Sequence, residues 1–282
     1  ATLLTVPFMA CGAKLPVFIL FSGVFFPGHE AAVMFGLTLT GWVVALLTAR
    51  LLRSTIIRGP STPFVMELPP YRIPTVHNVV RHMWDKGAQY LKKMGTVILL
   101  ASIIIWALGH YPRNVEYSTD YAAEKALVAA SDQSAEEKQA QIQHLDNSQY
   151  AEHQEKSYIG RIGHFIEPAI RPLGFDWRIG VSLASGLAAK EVIVSTMAVL
   201  NNSGDDETML ARNLQKQTYA SGPKAGEHVY TPLVAYTLMI FILLYFPCIA
   251  TIAAIKGETG SWRWALFAAG YTTVLAWVVS AA

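Results

Sequence analysis

The feature that most constrains this chain is a proline-broken hydrophobic segment at residues 1–26. Its centre carries Pro7 and Pro16, a thiol at Cys11 and a charge at Lys14. Each proline removes a backbone N–H and opens the helix about a turn earlier. Within a bilayer, opened backbone is tolerated only where it is buried in protein or lines a wet cavity. The sequence therefore predicts a membrane helix that is interrupted near Cys11.

Long uncharged runs elsewhere indicate a polytopic, all-α membrane protein. Hydrophobic residues make up 52% of the chain and charged residues 15%, and a helix needs roughly 20 apolar residues to cross a bilayer. Two interrupted segments, 1–26 and 179–204, join four uncharged ones, which predicts about six hydrophobic segments with discontinuous helices among them. The uncharged stretches are 31–49, 94–109, 230–255 and 264–282.

Charge asymmetry orients these segments in the membrane. Residues 50–93 contain eight Lys/Arg against two acidic residues, Glu67 and Asp85, so the positive-inside rule places this loop in the cytoplasm. Prolines keep residues 66–74 extended, as an elbow, and an amphipathic surface helix is expected at 76–93.

The polar region at 110–178 is expected on the opposite, extracytoplasmic side. It carries eleven Asp/Glu and seven Lys/Arg. Its Ala-, Glu- and Gln-rich part at 124–144 favours a solvated helix. Apolar residues recur at helical spacing over 158–170, which predicts a second helix lying on the membrane surface.

The pair Lys190-Glu191 interrupts the small-residue-rich segment at 179–204. Small residues permit close helix packing, and an intramembrane ionisable pair is a functional hypothesis by default. The alternative is a neutralised pair with a structural role. The segment either crosses the membrane once or turns back as a hairpin.

A second proline and thiol, Pro247 and Cys248, interrupt the apolar segment at 230–255. Superposing Pro7 on Pro247 indicates a weak internal repeat. In transporters such symmetry brackets a central substrate site.

The two cysteines are the first candidates for metal contact. Thiolates select softer or borderline metals such as Fe²⁺, Zn²⁺ or Cu⁺, and an incomplete ligand set suits an ion that must also leave. Free cysteines are also often small buried hydrophobes, so both interpretations stay open. Further donors in the membrane segments are Glu191, Met9, Ser195 and Thr251, with carbonyl oxygens freed by Pro7, Pro16 and Pro247.

Composition excludes several other classes. The net charge of +2 and the lack of basic runs interleaved with aromatics exclude nucleic acid. Two distant cysteines do not make a disulfide framework. A membrane oxidoreductase or protease would need histidines within spans, and all eight lie in loops or at span edges. A nucleoside permease would need side-chain amides in the helix cores, which lack them.

Six ordered motifs resemble the membrane half of ferrous iron transport protein B (FeoB). They extend from the first residues almost to the last and include Pro-Phe-Met-Ala-Cys-Gly-Ala-Lys-Leu-Pro-Val and Glu-Leu-Pro-Pro-Tyr-Arg-Ile-Pro. The motifs lie at residues 7–17, 67–74, 174–180, 188–192, 247–251 and 258–262.

This resemblance implies a multi-pass permease for Fe²⁺ in the bacterial cytoplasmic (inner) membrane. It implies two gate repeats and an N-terminal guanine-nucleotide-binding domain, and it admits small cytoplasmic Feo accessory proteins and a homo-oligomer as partners. This chain contains no Gly-x-x-x-x-Gly-Lys-Ser/Thr loop, so it is expected to bind no cofactor and to lack enzymatic activity, with GTP acting only through the absent domain. Since the first membrane helices of the family are also missing, we expect a part of a longer protein. A gate-type permease for another divalent metal or a nucleoside is the alternative.

The resemblance also assigns roles to single residues. Cys11 and Cys248 fall on the first-gate and second-gate cysteines, which makes them the expected Fe²⁺ contacts, and Glu191 is the carboxylate expected beside them. Lys14 is expected to pair with a carboxylate rather than to bind metal. Glu67 is expected to anchor the cytoplasmic elbow.

These observations divide the chain into five parts. A first gate half with its following span precedes the cytoplasmic elbow and amphipathic helix, and a single span comes next. An extracytoplasmic polar insert and a second gate repeat with the terminal span complete the chain. The ranges, in that order, are 1–54, 55–93, 94–112, 113–176 and 177–282.

Overall fold

A computed structural model describes residues 2–56, 75–130, 135–187, 189–201, 203, 207–219 and 226–281. Three short 3₁₀ turns, Val6–Phe8, Gly12–Lys14 and Arg171–Leu173, accompany the α-helices of these ranges. The α-helices are α1 Thr2–Thr5, α2 Leu15–Phe25, α3 Glu30–Thr55, α4 Val76–His110, α5 Tyr121–Ala130, α6 Ala135–Lys156, α7 Tyr158–Ile170, α8 Trp177–Ser185, α9 Val192–Leu200, α10 Glu207–Lys216, α11 Pro232–Leu244, α12 Ile249–Thr259 and α13 Trp262–Ala281.

Four helical stretches in the described ranges are long and apolar enough to cross a membrane, which confirms an all-α polytopic membrane protein. Two of them contain a break, since α1 and α2 share one stretch and α11 and α12 share another. The predicted span at 94–109 forms the second half of α4. It is not among the four found in the described residues, and its crossing stays a prediction. The four stretches are Leu3–Phe25, Glu30–Thr55, Pro232–Thr259 and Trp262–Ala281.

Helices α8 and α9 form a hairpin, so the segment at 179–204 turns back. At its open end, Arg178 Nη1 donates to Asn201 Oδ1 at 3.4 Å. Asp176 caps α8 by accepting from Ile179 N at 3.0 Å. Nine residues per helix rise only about 13 Å at 1.5 Å per residue, less than half of the roughly 30 Å hydrocarbon core. Each helix of the hairpin is therefore too short to cross the bilayer.

Helix α11 forms the centre of the packed core. It contacts α2, α3 and α13, and Leu238, Met239 and Ile242 on it have no exposed surface. The break in the first stretch approaches α3 closely, because a Cβ at Gly41 would lie 2.8 Å from Phe8 O. Both broken stretches are thus held between unbroken helices.

The polar insert folds as an α5–α6 hairpin. Lys125 Nζ lies 2.6 Å from Asp146 Oδ1, which requires α6 to run back beside α5. The single helix predicted at 124–144 is therefore wrong, because α5 ends at Ala130 and a second helix begins at Ala135. Alanine-rich composition predicts helix but does not mark where the chain reverses.

Glu152 ties the start of this insert to α6. Its carboxylate accepts from Ser118 N at 2.7 Å, from Tyr121 Oη at 3.0 Å and from Lys156 Nζ at 2.9 Å. Burial raises the pKa of Glu152, but these hydrogen bonds outweigh it and lower the pKa to about 2. The carboxylate thus stabilises the fold of the insert.

Two other sequence expectations meet the structure here. The predicted amphipathic helix at 76–93 continues without a break into the second half of α4. The helix predicted over 158–170 is confirmed as α7, with Phe165 86% exposed and Gly163 packed on Val181 of α8. The elbow at 66–74, which includes Glu67, lies outside the described residues.

Candidate functional site

Three helix breaks meet in the interior. The first separates the two 3₁₀ turns that precede α2, the second is the tip of the α8–α9 hairpin, and the third lies between α11 and α12. Ile249 N donates to Leu187 O at 3.1 Å, and Tyr245 Oη donates to Leu183 O at 3.4 Å. The hairpin is therefore joined to the third break by two hydrogen bonds, which are accepted by the carbonyl oxygens of Leu183 and Leu187.

Gly186 makes this approach possible. A Cβ at this position would lie 2.6 Å from both Ile193 Cγ1 and Tyr245 Oη, closer than real side chains approach. Only a residue without a Cβ lets the tip of the hairpin turn against α11.

Lys14 joins the first break to the third. Its ammonium donates to Pro7 O at 2.9 Å, to Met9 O at 3.0 Å and to Leu243 O at 2.9 Å, and the residue is only 2% exposed. Leu243 stands four residues before Pro247, which has no N–H to offer its carbonyl. Lys14 thus uses all three of its donors on carbonyl oxygens that the breaks leave open, so the expected carboxylate partner is wrong.

Lys190 joins the hairpin tip to the end of α11. Its Nζ lies 3.3 Å from Ile242 O and 4.3 Å from the centre of the Tyr245 ring, and the residue is 4% exposed. A carbonyl and an aromatic face both stabilise a buried ammonium. The partners of Lys190 are therefore contributed by α11 and the residue that follows it.

The two cysteines occupy equivalent positions, each directly before a helical turn that resumes after a break. Cys11 precedes the turn Gly12–Lys14 and is exposed, and Cys248 precedes α12 and is half-buried. Aligning the two thiols requires a shift of three residues from the predicted superposition of Pro7 on Pro247, and the internal repeat stays a prediction.

The structure brings both thiols to the same pair of ammonium groups. Lys14 and Lys190 both lie within electrostatic range of Cys11 and Cys248, and of one another. The Cys248 thiol also shares a hydrogen bond of 3.2 Å with Thr251 Oγ1. We call the two lysines and two cysteines the lysine–thiol centre.

The other predicted ligands are not gathered at this centre. Glu191 and Ser195 are exposed on the hairpin, and the described residues contain no group of three His, Cys, Asp or Glu side chains able to hold a metal ion. Pro16 stands in the first turn of α2, where its missing N–H costs nothing, and Gly12 O accepts from Leu15 N. Pro16 therefore leaves no carbonyl without a helical partner. Pro7 O and Leu243 O lack a helical partner and accept hydrogen bonds from Lys14 instead.

Sequence reasoning missed the hydrogen bonds that Lys14 and Lys190 make. One signal was present, since Pro247 identifies Leu243 O as a carbonyl without a helical partner. Lys14 and Leu243 are 229 residues apart in the sequence, so no sequence pattern indicates that they are in contact.

Comparison with protein families covers most of the chain. The Gate family, described as "Nucleoside recognition", matches residues 91–262. The family described as "Ferrous iron transport protein B C terminus" matches residues 34–86. Both matches agree with the resemblance carried by the six motifs, which is confirmed.

Curated relatives match along nearly the whole chain. A "Fe(2+) transport protein A/Fe(2+) transporter FeoB fusion protein" from Porphyromonas gingivalis is 46% identical over 99% of this chain and 33% of its own length. Proteins named "Fe(2+) transporter FeoB" from Campylobacter jejuni and Helicobacter pylori are 36% and 34% identical over 99% of the chain, and the matches cover 40% and 42% of those proteins. The chain thus spans about a third to two fifths of these relatives. No solved structure matches it.

Proposed function

The chain belongs to the Gate family, and on that premise we propose that it is the membrane permease part of a bacterial Fe²⁺ uptake transporter. The single observation that carries this proposal is the lysine–thiol centre. Two broken stretches present one thiol each to the same two lysines, and thiolate sulfur suits Fe²⁺ better than it suits hard cations. Relatives named as Fe²⁺ transporters support the same substrate.

In this proposal the lysines hold the pathway closed. The Lys14 ammonium occupies three carbonyl oxygens that would otherwise face an arriving cation. Two ammonium groups near the thiols also repel a divalent ion at close range. An Fe²⁺ ion that reaches Cys11 and Cys248 must therefore displace Lys14, and Lys14 returns to its carbonyls after the ion leaves.

We place the transporter in the bacterial inner membrane and its energy supply outside this chain. A guanine-nucleotide-binding domain, expected in the remaining part of a full-length protein, would drive release of Lys14. The fusion named for the Porphyromonas gingivalis relative supports a small Feo accessory protein as a partner. Chemical catalysis is not part of the role proposed for this chain.

The description of the Gate family as "Nucleoside recognition" supplies the second candidate, a nucleoside permease. A nucleoside base is recognised by side-chain amides and aromatic stacking. In the described residues, the groups that meet at the three breaks are two thiols, two ammonium groups, backbone carbonyls and the Tyr245 ring, whose face lies against Lys190, with no side-chain amide among them. This chemistry favours a cation over a nucleoside.

The test is uptake of radioactive Fe²⁺ by cells that express the full-length protein. We expect Cys11→Ser and Cys248→Ser each to reduce uptake about tenfold or more, with the protein still present in the membrane. Thr273→Ser on α13, which keeps its hydrogen bond to Ala269 O, is the matched conservative control.

Wild-type Fe²⁺ uptake by the double Cys variant would refute the ligand role. Uptake of labelled uridine by the wild type, abolished by the same two substitutions and without Fe²⁺ uptake, would establish the nucleoside alternative instead.

A further inference from the structure

A cleft of about 260 Å³ lies outside the lysine–thiol centre, between the end of α4, α6 and the α8–α9 hairpin. Two imidazoles, four hydroxyls and one side-chain amide are among its lining groups. These polar residues are His110, Tyr150, His153, Gln154, Ser185, Ser195 and Thr196. The positive-inside rule places this end of α4 on the extracytoplasmic face, so the cleft is positioned where an ion arrives from outside.

The two histidines lie beside one another at the C-terminal end of α4. Their ring centres are 6.4 Å apart, and His153 Nε2 lies 3.2 Å from His110 O. Stacking on Trp106, with ring centres 4.8 Å apart, fixes the plane of His110. When His153 Nε2 donates to that carbonyl, its Nδ1 is an acceptor, and the only contact there in the described structure is Tyr117 Oη at 3.5 Å. That nitrogen therefore has only a long hydrogen bond, which a metal ion could replace.

Arg113 occupies the His110 nitrogen that a metal ion would bind, and it can move away. Its Nε2 accepts from Arg113 Nε at 3.2 Å, and Arg113 is exposed at the surface. A guanidinium at this position occupies the lone pair that a metal ion would use. Movement of an exposed Arg113 costs little, because charged contacts at the protein surface contribute little to stability.

The size of the cleft fits a hydrated divalent cation. A water occupies about 30 Å³, so six waters of an octahedral shell need about 180 Å³. The 260 Å³ cleft accommodates that shell while one or two imidazole nitrogens replace waters. Imidazole is a suitable ligand for iron.

The same hairpin connects the cleft to the interior. Ser185 lines the cleft, and the following residues form the tip of the hairpin, where Leu187 O accepts from Ile249 N at 3.1 Å. Ile249 follows Cys248 directly. One helix end thus lies between the two histidines and the second-gate thiol.

From these observations we propose that His110 and His153 form an outer capture site for Fe²⁺, where the ion exchanges waters for imidazole before it reaches the lysine–thiol centre. The proposal rests on the proposed function, since it concerns how the same substrate arrives. It assigns to the polar insert a role in ion access.

The test is Fe²⁺ uptake by the full-length protein as a function of Fe²⁺ concentration. We expect the double variant His110→Ala/His153→Ala to raise the half-saturating concentration about tenfold while the maximal rate is unchanged. The matched control is His144→Ala, an exposed histidine of α6 that does not line the cleft. Arg113→Gln removes the competing cation and is expected to lower the half-saturating concentration about two- to fivefold.

The outcomes separate a binding role from a structural one. His153→Gln keeps a donor for His110 O but has no imidazole, so rescue of the half-saturating concentration by this variant would overturn the proposal. A double variant with an unchanged half-saturating concentration, or with only a lower maximal rate, would also overturn it. If wild-type protein takes up no Fe²⁺ at all, the proposed function itself fails and this role fails with it.

Discussion

Removing the Lys14 ammonium is the sharpest test of how the broken stretches are held together. Lys14→Met keeps the length of the side chain and deletes three donors, which leaves Pro7 O, Met9 O and Leu243 O without the partner they have now. All three bonds are 2.9–3.0 Å long, and the side chain is almost fully buried. The substitution therefore removes the Lys14 bond that joins the first break to the third.

The magnitude follows from two opposing contributions. Hydrogen bonds between membrane helices contribute about 0.6–2 kcal/mol each, and bonds to charged groups lie toward the upper end of such ranges. Against this, methionine avoids the cost of burying an ammonium. The net loss is about 2–4 kcal/mol, which corresponds to a fall in melting temperature of about 5–15 °C for a domain of this size.

Thermal unfolding of purified protein in detergent, followed by tryptophan fluorescence, measures this change. Lys256→Met is the matched control, because Lys256 is exposed and only lies 5.5 Å from the centre of the Trp262 ring. Lys14→Arg keeps the charge but offers a planar fork, so it should also melt below wild type. A Lys14→Met variant that melts within 2 °C of the Lys256→Met control would refute the reasoning.

Two further predictions concern packing and titration. Gly186→Val forces a side chain onto Ile193 and Tyr245 and should destabilise the protein by about 1–3 kcal/mol in the same melting assay, whereas Gly257→Ala, with open space at its Cβ, should not; equal melting temperatures would contradict the close approach of the hairpin tip. Glu152 has a pKa lowered to about 2, so its stabilisation is present above its unfolded pKa of about 4.3 and is lost as pH falls toward 2. Hydrogen exchange at Ser118, corrected for the intrinsic rate, should therefore speed up over that pH range in wild type. Glu152→Ala, which removes the acceptor of Ser118 N, should exchange fast already at pH 7; protection that persists in Glu152→Ala would rule this out.

The sequence alone predicted several of the helices, but it did not predict which helices pack against one another. The apolar segment at 230–255 and its interruption at Pro247 were both readable, because apolar length and a missing N–H are local properties. Whether 179–204 crosses or turns back was not readable, because that choice depends on the contact between Arg178 and Asn201 and on the close approach at Gly186. The division of the insert into α5 and α6 likewise depends on the pairing of Lys125 with Asp146.

The candidate site shows the same division. Cys11 and Cys248 were chosen because thiols beside proline breaks are unusual in a bilayer, and the structure places both near the same two lysines. Glu191 was chosen as a neighbour of those thiols, yet it is exposed, because a residue at the tip of a hairpin can point to either side. Motif chemistry identifies which residue types meet, and tertiary packing decides which of them face inward.

The balance of charge at the centre links its architecture to its proposed operation. Helix N-termini carry partial positive charge, and the helical turns resume directly after Cys11, Glu191 and Cys248. With Lys14 and Lys190 added, this conformation disfavours a metal cation at the centre until one ammonium moves away. Lys14 is bound to carbonyls on both broken stretches. A motion that separates the stretches would break its bond to Leu243 O and open that oxygen, whereas Pro7 O and Met9 O lie on the same stretch as Lys14 and would stay bound to it. In the proposed function, separating the stretches would free one oxygen for a cation and release Lys14 from one of its three bonds, so a charge that repels the proposed substrate can stand beside its proposed ligands.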